Sequence, residues 1–294
     1  VITEIAPAPE RVEPPPTGTR GRRRAWDEAP RWQIYVPLSI YLVFTLIPFY
    51  WILLFALRPA GSTSLVPWPM TFEHFEKVWN ERAFGTYFQN SVLVGVSTLV
   101  MTTLVALAGG YALARFDFRI KRAFMLALLC TQFVPGALLL VPLFEIFANL
   151  RMINSLSSVV IAETVFQLPL SMILISGFIR NVPYSLEEAA WVDGCNRFTA
   201  FRIVVLPLLR PGLIAVGSFA FVHAWNHFLF ALMFLSDQGK QTIPVGLNTL
   251  MSADSVDLGA LAAGGIIAAV PVVLVFAFIQ KWLITGFSAG AVKG

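Results

Sequence analysis

Charge is scarce in this sequence. Charged residues make up 13% of its 294 positions, against about 25% in soluble globular domains, which argues against an ordinary soluble fold. Cysteine is nearly missing as well. Cys130 and Cys195 are the only two; they offer no disulfide framework and are expected to pack as small apolar side chains. No G-x-x-x-x-G-K-[ST] loop is present: Gly239-Lys240 lacks the upstream glycine and the following Ser or Thr, which argues against ATP hydrolysis by such a loop here. H-E-x-x-H, G-x-S-x-G and an intramembrane aspartate pair are also missing, which argues against an intramembrane enzyme. All six aspartates lie outside the long apolar runs. A secondary transporter commonly sets carboxylates at mid-membrane for ion coupling, and here only Glu163 is placed for that.

What is abundant is apolar length. The chain is 57% hydrophobic, with a mean hydropathy of +0.72, and a membrane span needs about 20 apolar residues. Six runs qualify, near 34–56, 88–113, 122–148, 157–179, 211–235 and 259–283. The expected fold is all-α: a polytopic membrane protein with six transmembrane helices over 32–294. Pro135-Gly136 and Pro142 in the third run and Pro169 in the fourth mark places where spans bend or line a cavity. Residues 1–31 are different. Pro7, Pro9, Pro14, Pro15 and Pro16 with scattered charge read as a disordered arm. The arm's basic end (Arg20, Arg22, Arg23, Arg24, Arg31) reads as an orienting flank rather than a nucleic-acid site. The first apolar run is of span length with no A-x-A site after it, unlike a cleavable signal.

Lysine and arginine set the orientation. They crowd the N-terminal arm, the 114–121 loop (Arg115, Arg119, Lys121) and the 180–210 segment (Arg180, Arg197, Arg202, Arg210), and thin out in the alternate loops. Both termini are therefore expected in the cytoplasm, with 57–87, 149–156 and 236–258 outside. In 57–87, Phe72, Phe75, Glu76 and Trp79 at helical spacing suggest a short interfacial helix.

The 180–210 segment is a polar island about 30 residues long between two spans, longer than a connection without a job of its own. Ser185-Leu186-Glu187-Glu188 fits a capping box. Leu186, Ala189 and Ala190 are expected on one face, Gly194 permits a sharp exit, and Phe198, Phe201, Arg202 and Val205 form a second amphipathic run up to Pro207. By physics alone this is either an interfacial hairpin or a docking surface.

Glu188-Ala189-Ala190, Gly194 four residues on, and Leu206-Pro207 twelve residues later resemble the EAA loop of ATP-binding-cassette importer permeases. Val204 stands where that pattern has isoleucine, with Ile203 beside it. Asn90-Ser91-Val92, Tyr111-Ala112-Leu113-Ala114-Arg115, Trp225-Asn226, Ile243-Pro244-Val245-Gly246-Leu247 and the Gly286–Gly294 end are similar to the carbohydrate-uptake branch, in particular the second permease of the maltose-transporter type. The resemblance covers about 34–294. It implies a permease subunit of a sugar importer in a bacterial-type inner membrane. Its partners would be a second permease, an ATPase dimer that carries ATP and Mg, and an extracytoplasmic solute-binding protein; this chain itself would carry no cofactor or metal. It also implies that Glu187, Glu188, Ala189, Ala190, Asp193 and Gly194 seat in the ATPase, and that Gln238, Gly239 and Lys240 of the outer loop reach the binding protein. A phosphorylated polyol or another solute is the alternative cargo.

Polar groups inside spans are functional candidates by default. His223, Asn226 and His227 share a face at i, i+3 and i+4. Counting from Leu213 at about 1.5 Å per residue, His223 lies roughly 15 Å in. Phe219 and Phe230 continue the stripe, and aromatic faces with hydrogen-bonding groups suit a sugar. The alternative is hydrogen bonding to helices of the partner permease. Members of the resembled family often have aspartate at the position of His227. Gln132, Glu163 and Gln167 complete the intramembrane polar set.

Overall fold

In this computed structural model, residues 31–251 and 256–291 are described, with side chains from 32 to 281 within them. The arm expected over 1–31 therefore lies, up to residue 30, outside the described residues. The chain divides into two compact units, residues 1–51 and 52–294.

The described part of the first unit belongs to helix α1 (Arg31–Leu57), which holds Pro37 and Pro48. From Trp32 to Leu53 its apolar side chains are exposed all round. A helix apolar on every side calls for lipid or protein rather than water around it.

In the second unit, α2 (Glu73–Glu81) leads into α3 (Phe84–Arg115). The remaining elements are α4 (Lys121–Thr131), a 3₁₀ turn at Gly136–Leu139, α5 (Leu140–Asn149), α6 (Leu156–Arg180), α7 (Tyr184–Val192) and α8 (Arg197–Ala200). A π turn at Phe201–Val205 then leads through α9 (Leu206–Leu208) into α10 (Arg210–Asn226), α11 (Leu229–Phe234), α12 (Ile243–Met251) and α13 (Leu258–Ala291). Among the described residues four helices are long and apolar enough to cross a membrane, and the number is six when each of two bent pairs counts as one span.

The third expected span is one of these pairs. α4 and the Gly136–Asn149 helix meet at 95°. Pro135 has an extended backbone (ψ 129°), lacks an N–H for the preceding turn and pushes Val134 out of the helical region. The second pair, Arg197–Leu208 and Arg210–Asn226, bends by 74°. Pro207 and Pro211 flank the bend, and the backbone widens to a π turn just before it.

The fifth span was expected to run unbroken over 211–235. It stops at Asn226, His227 is extended (φ −78°, ψ 119°), and α11 starts afresh. Neither proline nor glycine marks that stop. Two side-chain contacts lie at the stop: the Asn226 amide donates back to the Val222 carbonyl at 2.8 Å, and His227 meets Glu163 of α6.

α3 and α6 form the most extensive helix pair, with α10 packed on both. Gly110 permits their closeness, since a Cβ there would meet Ile175 Cγ2 at 2.7 Å and the Ser176 nitrogen at 3.1 Å. Around this trio lie three apolar clusters, centred on Phe230 and Phe234, on Phe84, Tyr87 and Trp225, and on Ile175, Ile179 and Leu209. The short helix expected in 57–87 is α2. It buries His74 and Val78 and packs on α13 and α3, while Phe72 and Trp79 are exposed. Lys77 pairs with Asp257 at 2.9 Å, and the His74 Nε2 lies 3.1 Å from the Arg58 carbonyl.

Candidate functional site

The polar island folds as a short helix, a glycine turn and a return. Pro183 (φ −56°, ψ 129°) precedes α7, and no side chain caps the helix. Ser185 is therefore the helix's second residue, and the expected Ser185–Glu188 capping box does not form. The helix end behaves as expected. Gly194 has φ +87°, its N–H donates to Trp191 O at 3.0 Å, and the Cys195 N–H donates to Ala190 O at 2.9 Å. That pairing is a Schellman-type stop, which wants glycine at the left-handed position. The Asn196 Oδ1 then accepts the Thr199 N–H at 2.8 Å and starts α8.

The buried face of α7 is Glu187 and Ala190, so the face expected to hold Leu186, Ala189 and Ala190 together is split: Ala190 turns inward and the other two are exposed. Glu187 is 1% exposed. The Arg115 Nε–H donates to its Oε1 at 2.6 Å and the Tyr111 hydroxyl to its Oε2 at 2.8 Å, while Arg115 Nη2 donates to Val182 O at 2.9 Å. The charge is both paired and hydrogen-bonded, as an interior charge must be. The outward face holds Leu186, Glu188, Ala189, Val192 and Asp193, with Gly194 exposed at the turn; Val192 is 88% exposed. Of the residues expected to meet a partner, Glu187 and Ala190 are thus withdrawn, and Glu188, Ala189, Asp193 and Gly194 are presented. Trp191 sits edge-on to Tyr184, with the Arg197 guanidinium over its ring at 5.3 Å.

Tyr111 and Arg115 were missed as site residues. In the sequence both belong to a stretch that carries the family resemblance, and Arg115 is also an orienting charge. The signal that was present is their spacing: four apart, they share a face at the end of α3.

A second polar cluster lies inside the spans. Glu163 on α6 is fully buried. The His223 Nδ1 lies 3.0 Å from its Oε2 and the His227 Nδ1 2.5 Å from its Oε1, the latter a close contact out of line for a hydrogen bond. The two rings stack at 5.2 Å, Phe166 stacks on His223 at 6.0 Å, and Phe230 meets His227 edge-on at 4.5 Å. The other expected residues make no hydrogen bond or ion pair with Glu163. Asn226 bonds to its own helix and is exposed. Phe219 is exposed while Phe230 is buried, so the two do not continue one stripe. Gln132 sits at the α4 break, where its amide reaches Phe166 O at 3.4 Å. Gln167 is half-buried, one residue past Phe166.

Residues 105–288 match the family described as the binding-protein-dependent transport system inner membrane component. The chain belongs to this family. The permease is similar to the diacetylchitobiose uptake system permease protein DasC of Streptomyces coelicolor, with 36% identity over 88% of this chain and 95% of that one. It is similar also to the trehalose transport system permease protein SugB of Mycobacterium tuberculosis, with 30% identity over 87% and 95%. In fold it resembles a chain of a bacterial ABC transporter involved in the import of the acidic polysaccharide alginate, with a TM-score of 0.72 and 20% identity over 90% of this chain and 99% of that one.

The permease's 236–241 loop is held from two directions. Gln238, Gly239 and Lys240 form an exposed 3₁₀ turn with Asp237 as its cap. Lys240 Nζ donates to Asn154 O at 2.9 Å, and the Asp237 N–H donates to Asn154 Oδ1 at 3.0 Å. From α3, Asn90 Nδ2 donates to Gly239 O at 3.0 Å and Gln241 O at 2.9 Å, and the Ser91 hydroxyl oxygen accepts the Ile243 N–H. A cavity of about 410 Å³ opens beside this loop, lined by Glu81, Arg82, Tyr87, Gln238 and Gly239 among others.

Proposed function

We propose that this permease forms half of the pathway of an ATP-driven sugar importer and is moved by a separate ATPase dimer, which holds ATP and Mg. A second permease supplies the other half, and an extracytoplasmic solute-binding protein delivers the cargo. The termini and α7 face the cytoplasm and the 236–241 loop faces outside, in keeping with the distribution of lysine and arginine. The observation that carries the reading is α7: a short helix held from behind and presenting Leu186, Glu188, Ala189 and Val192, on a transport permease with no nucleotide loop in its sequence. Exposed apolar surface rimmed by charge is what a docking partner covers. The sugars named for the similar proteins, diacetylchitobiose and trehalose, favour an oligosaccharide cargo. His223 and His227 are assigned to the pathway wall, held from behind by the buried Glu163, with Gln132 and Gln167 beside them; their aromatic neighbours and hydrogen-bonding groups suit a sugar's ring faces and hydroxyls.

The test is to purify the permease in detergent from its native membrane, identify what accompanies it, and reconstitute that complex. An ATPase and a second permease are expected, with uptake of a labelled oligosaccharide that requires ATP and the binding protein. Solute uptake by this chain alone, driven by an ion gradient, would overturn the reading.

A further inference from the structure

We infer that α3 is a transmission rod, tied at one end to the coupling helix α7 and at the other to the 236–241 loop, so that each end senses the state of the other. The inference rests on the importer reading above and adds a route to it.

Three observations carry it. First, α3 is a single helix of 32 residues. From Asn90 to Arg115 it rises about 38 Å at 1.5 Å per residue, more than the roughly 30 Å of a bilayer's hydrocarbon core. Its two polar ends therefore lie on opposite sides of the membrane. Second, it is the one of the four long described helices without proline: α1 carries Pro37 and Pro48, α6 carries Pro169 and α13 carries Pro271, and proline interrupts the hydrogen-bond ladder of a helix. Its Gly109-Gly110 pair, the other place where such a helix bends, is packed against Met172 and Ile175 of α6.

Third, both ends are bonded to the two surfaces that the importer reading gives to partners. At the inner end, Arg115 grips Glu187 within α7 and Val182 ahead of it, and Tyr111 bonds Glu187 and packs edge-on to Phe201 beyond α7 at 5.0 Å. The coupling helix is thus held before, within and after its own length. At the outer end, Asn90 holds two carbonyls of the 236–241 loop and Ser91 holds the first N–H of α12. A displacement of α7 of an ångström or more has to move α3 or break a buried, charge-assisted bond, which is among the strong ones. Asn90 and Arg115 are thus positioning residues.

The experiment uses the whole complex in proteoliposomes, with ATPase rate measured against the concentration of its sugar-loaded binding protein. Asn90→Ala is expected to lower the maximal stimulation by about fivefold or more, a typical coupling magnitude, with the basal rate unchanged. A merely local role for Asn90 in shaping the loop would raise the half-saturating concentration and leave the maximum intact, and that result overturns the rod. Glu187→Gln, normalised to assembled complex, is expected to lower the same maximum. The double variant is expected to be no worse than the poorer single one, because two cuts in one rod act as one; losses that multiply overturn the proposal. Should Glu187→Gln fail to assemble, Tyr111→Phe takes its place in the cycle. A wild-type complex whose ATPase ignores the binding protein would sink the importer reading itself, and the rod with it.

Discussion

Glu187 and Glu188 are adjacent carboxylates with opposite surroundings. One is sealed against Arg115 and Tyr111 and the other is exposed. The divide is geometric: neighbouring side chains on a helix sit about 100° apart, so only one can face α3. Gly194 illustrates a different residue-level demand. A Cβ there would meet nothing within 4 Å, yet φ is +87°, so the constraint is conformational rather than steric crowding. A β-branched residue at positive φ is a genuine outlier, whereas asparagine visits that region more readily. Gly194→Val is expected to cut uptake about tenfold or more, through a distortion costing about 1–3 kcal/mol, while Gly194→Asn keeps most of it. Uptake assays on vesicles with matched permease levels separate the two, and equal loss in both would show that the turn's conformation is not what matters.

At the scale of elements, α7 is legible from sequence as a short helix closed by glycine, and its facing is not. Its start is set by Pro183, and its rotation by an arginine that lies 72 positions earlier in the chain. The breaks are similarly divided. Pro135 announces the 95° turn between α4 and α5, whereas the stop at His227 has no proline or glycine to mark it and coincides with a side-chain contact to α6. The outward face of α7 yields a prediction of its own. Val192 is 88% exposed, so Val192→Asp is expected to leave permease abundance in the membrane within about twofold of wild type, as surface substitutions usually do. The amount of ATPase that co-purifies should drop severalfold, and a blot of the affinity-purified complex reads both. Undiminished ATPase would mean that the partner does not sit on this face.

At the scale of the whole molecule, long-range polar ties hold distant segments together, and the one at Asp257 answers to pH. Burial alone would push the Asp257 carboxyl upward, but the Ala260 N–H, Lys77 and His74 outweigh it and hold it below the usual carboxylate range. A depressed carboxyl stabilises the fold above its unfolded value, about 3.9, and that stabilisation is lost as pH falls through the folded value. The pair is partly exposed, so the effect is small, under about 1 kcal/mol. Thermal unfolding of the detergent-solubilised protein is expected to grow more acid-sensitive below about pH 4, and Asp257→Asn should blunt that dependence. An unchanged pH profile in the variant would assign the acid sensitivity elsewhere.

Several features follow from the sequence by itself: the helical, membrane-spanning class, the approximate places of the spans, the polar island with its glycine turn, and the family. Each depends on runs of residue type along the chain, and the need to satisfy backbone groups in lipid turns such runs into helices wherever they fall. Tertiary structure alone decided which carboxylate of the island turns inward, where the fifth span stops, and that two histidines meet at Glu163. These depend on pairs such as Arg115 with Glu187 and Glu163 with His227. A charge or polar group in a low-dielectric interior takes whichever partner the packing brings within reach, and the sequence separation of such pairs carries no trace of that choice.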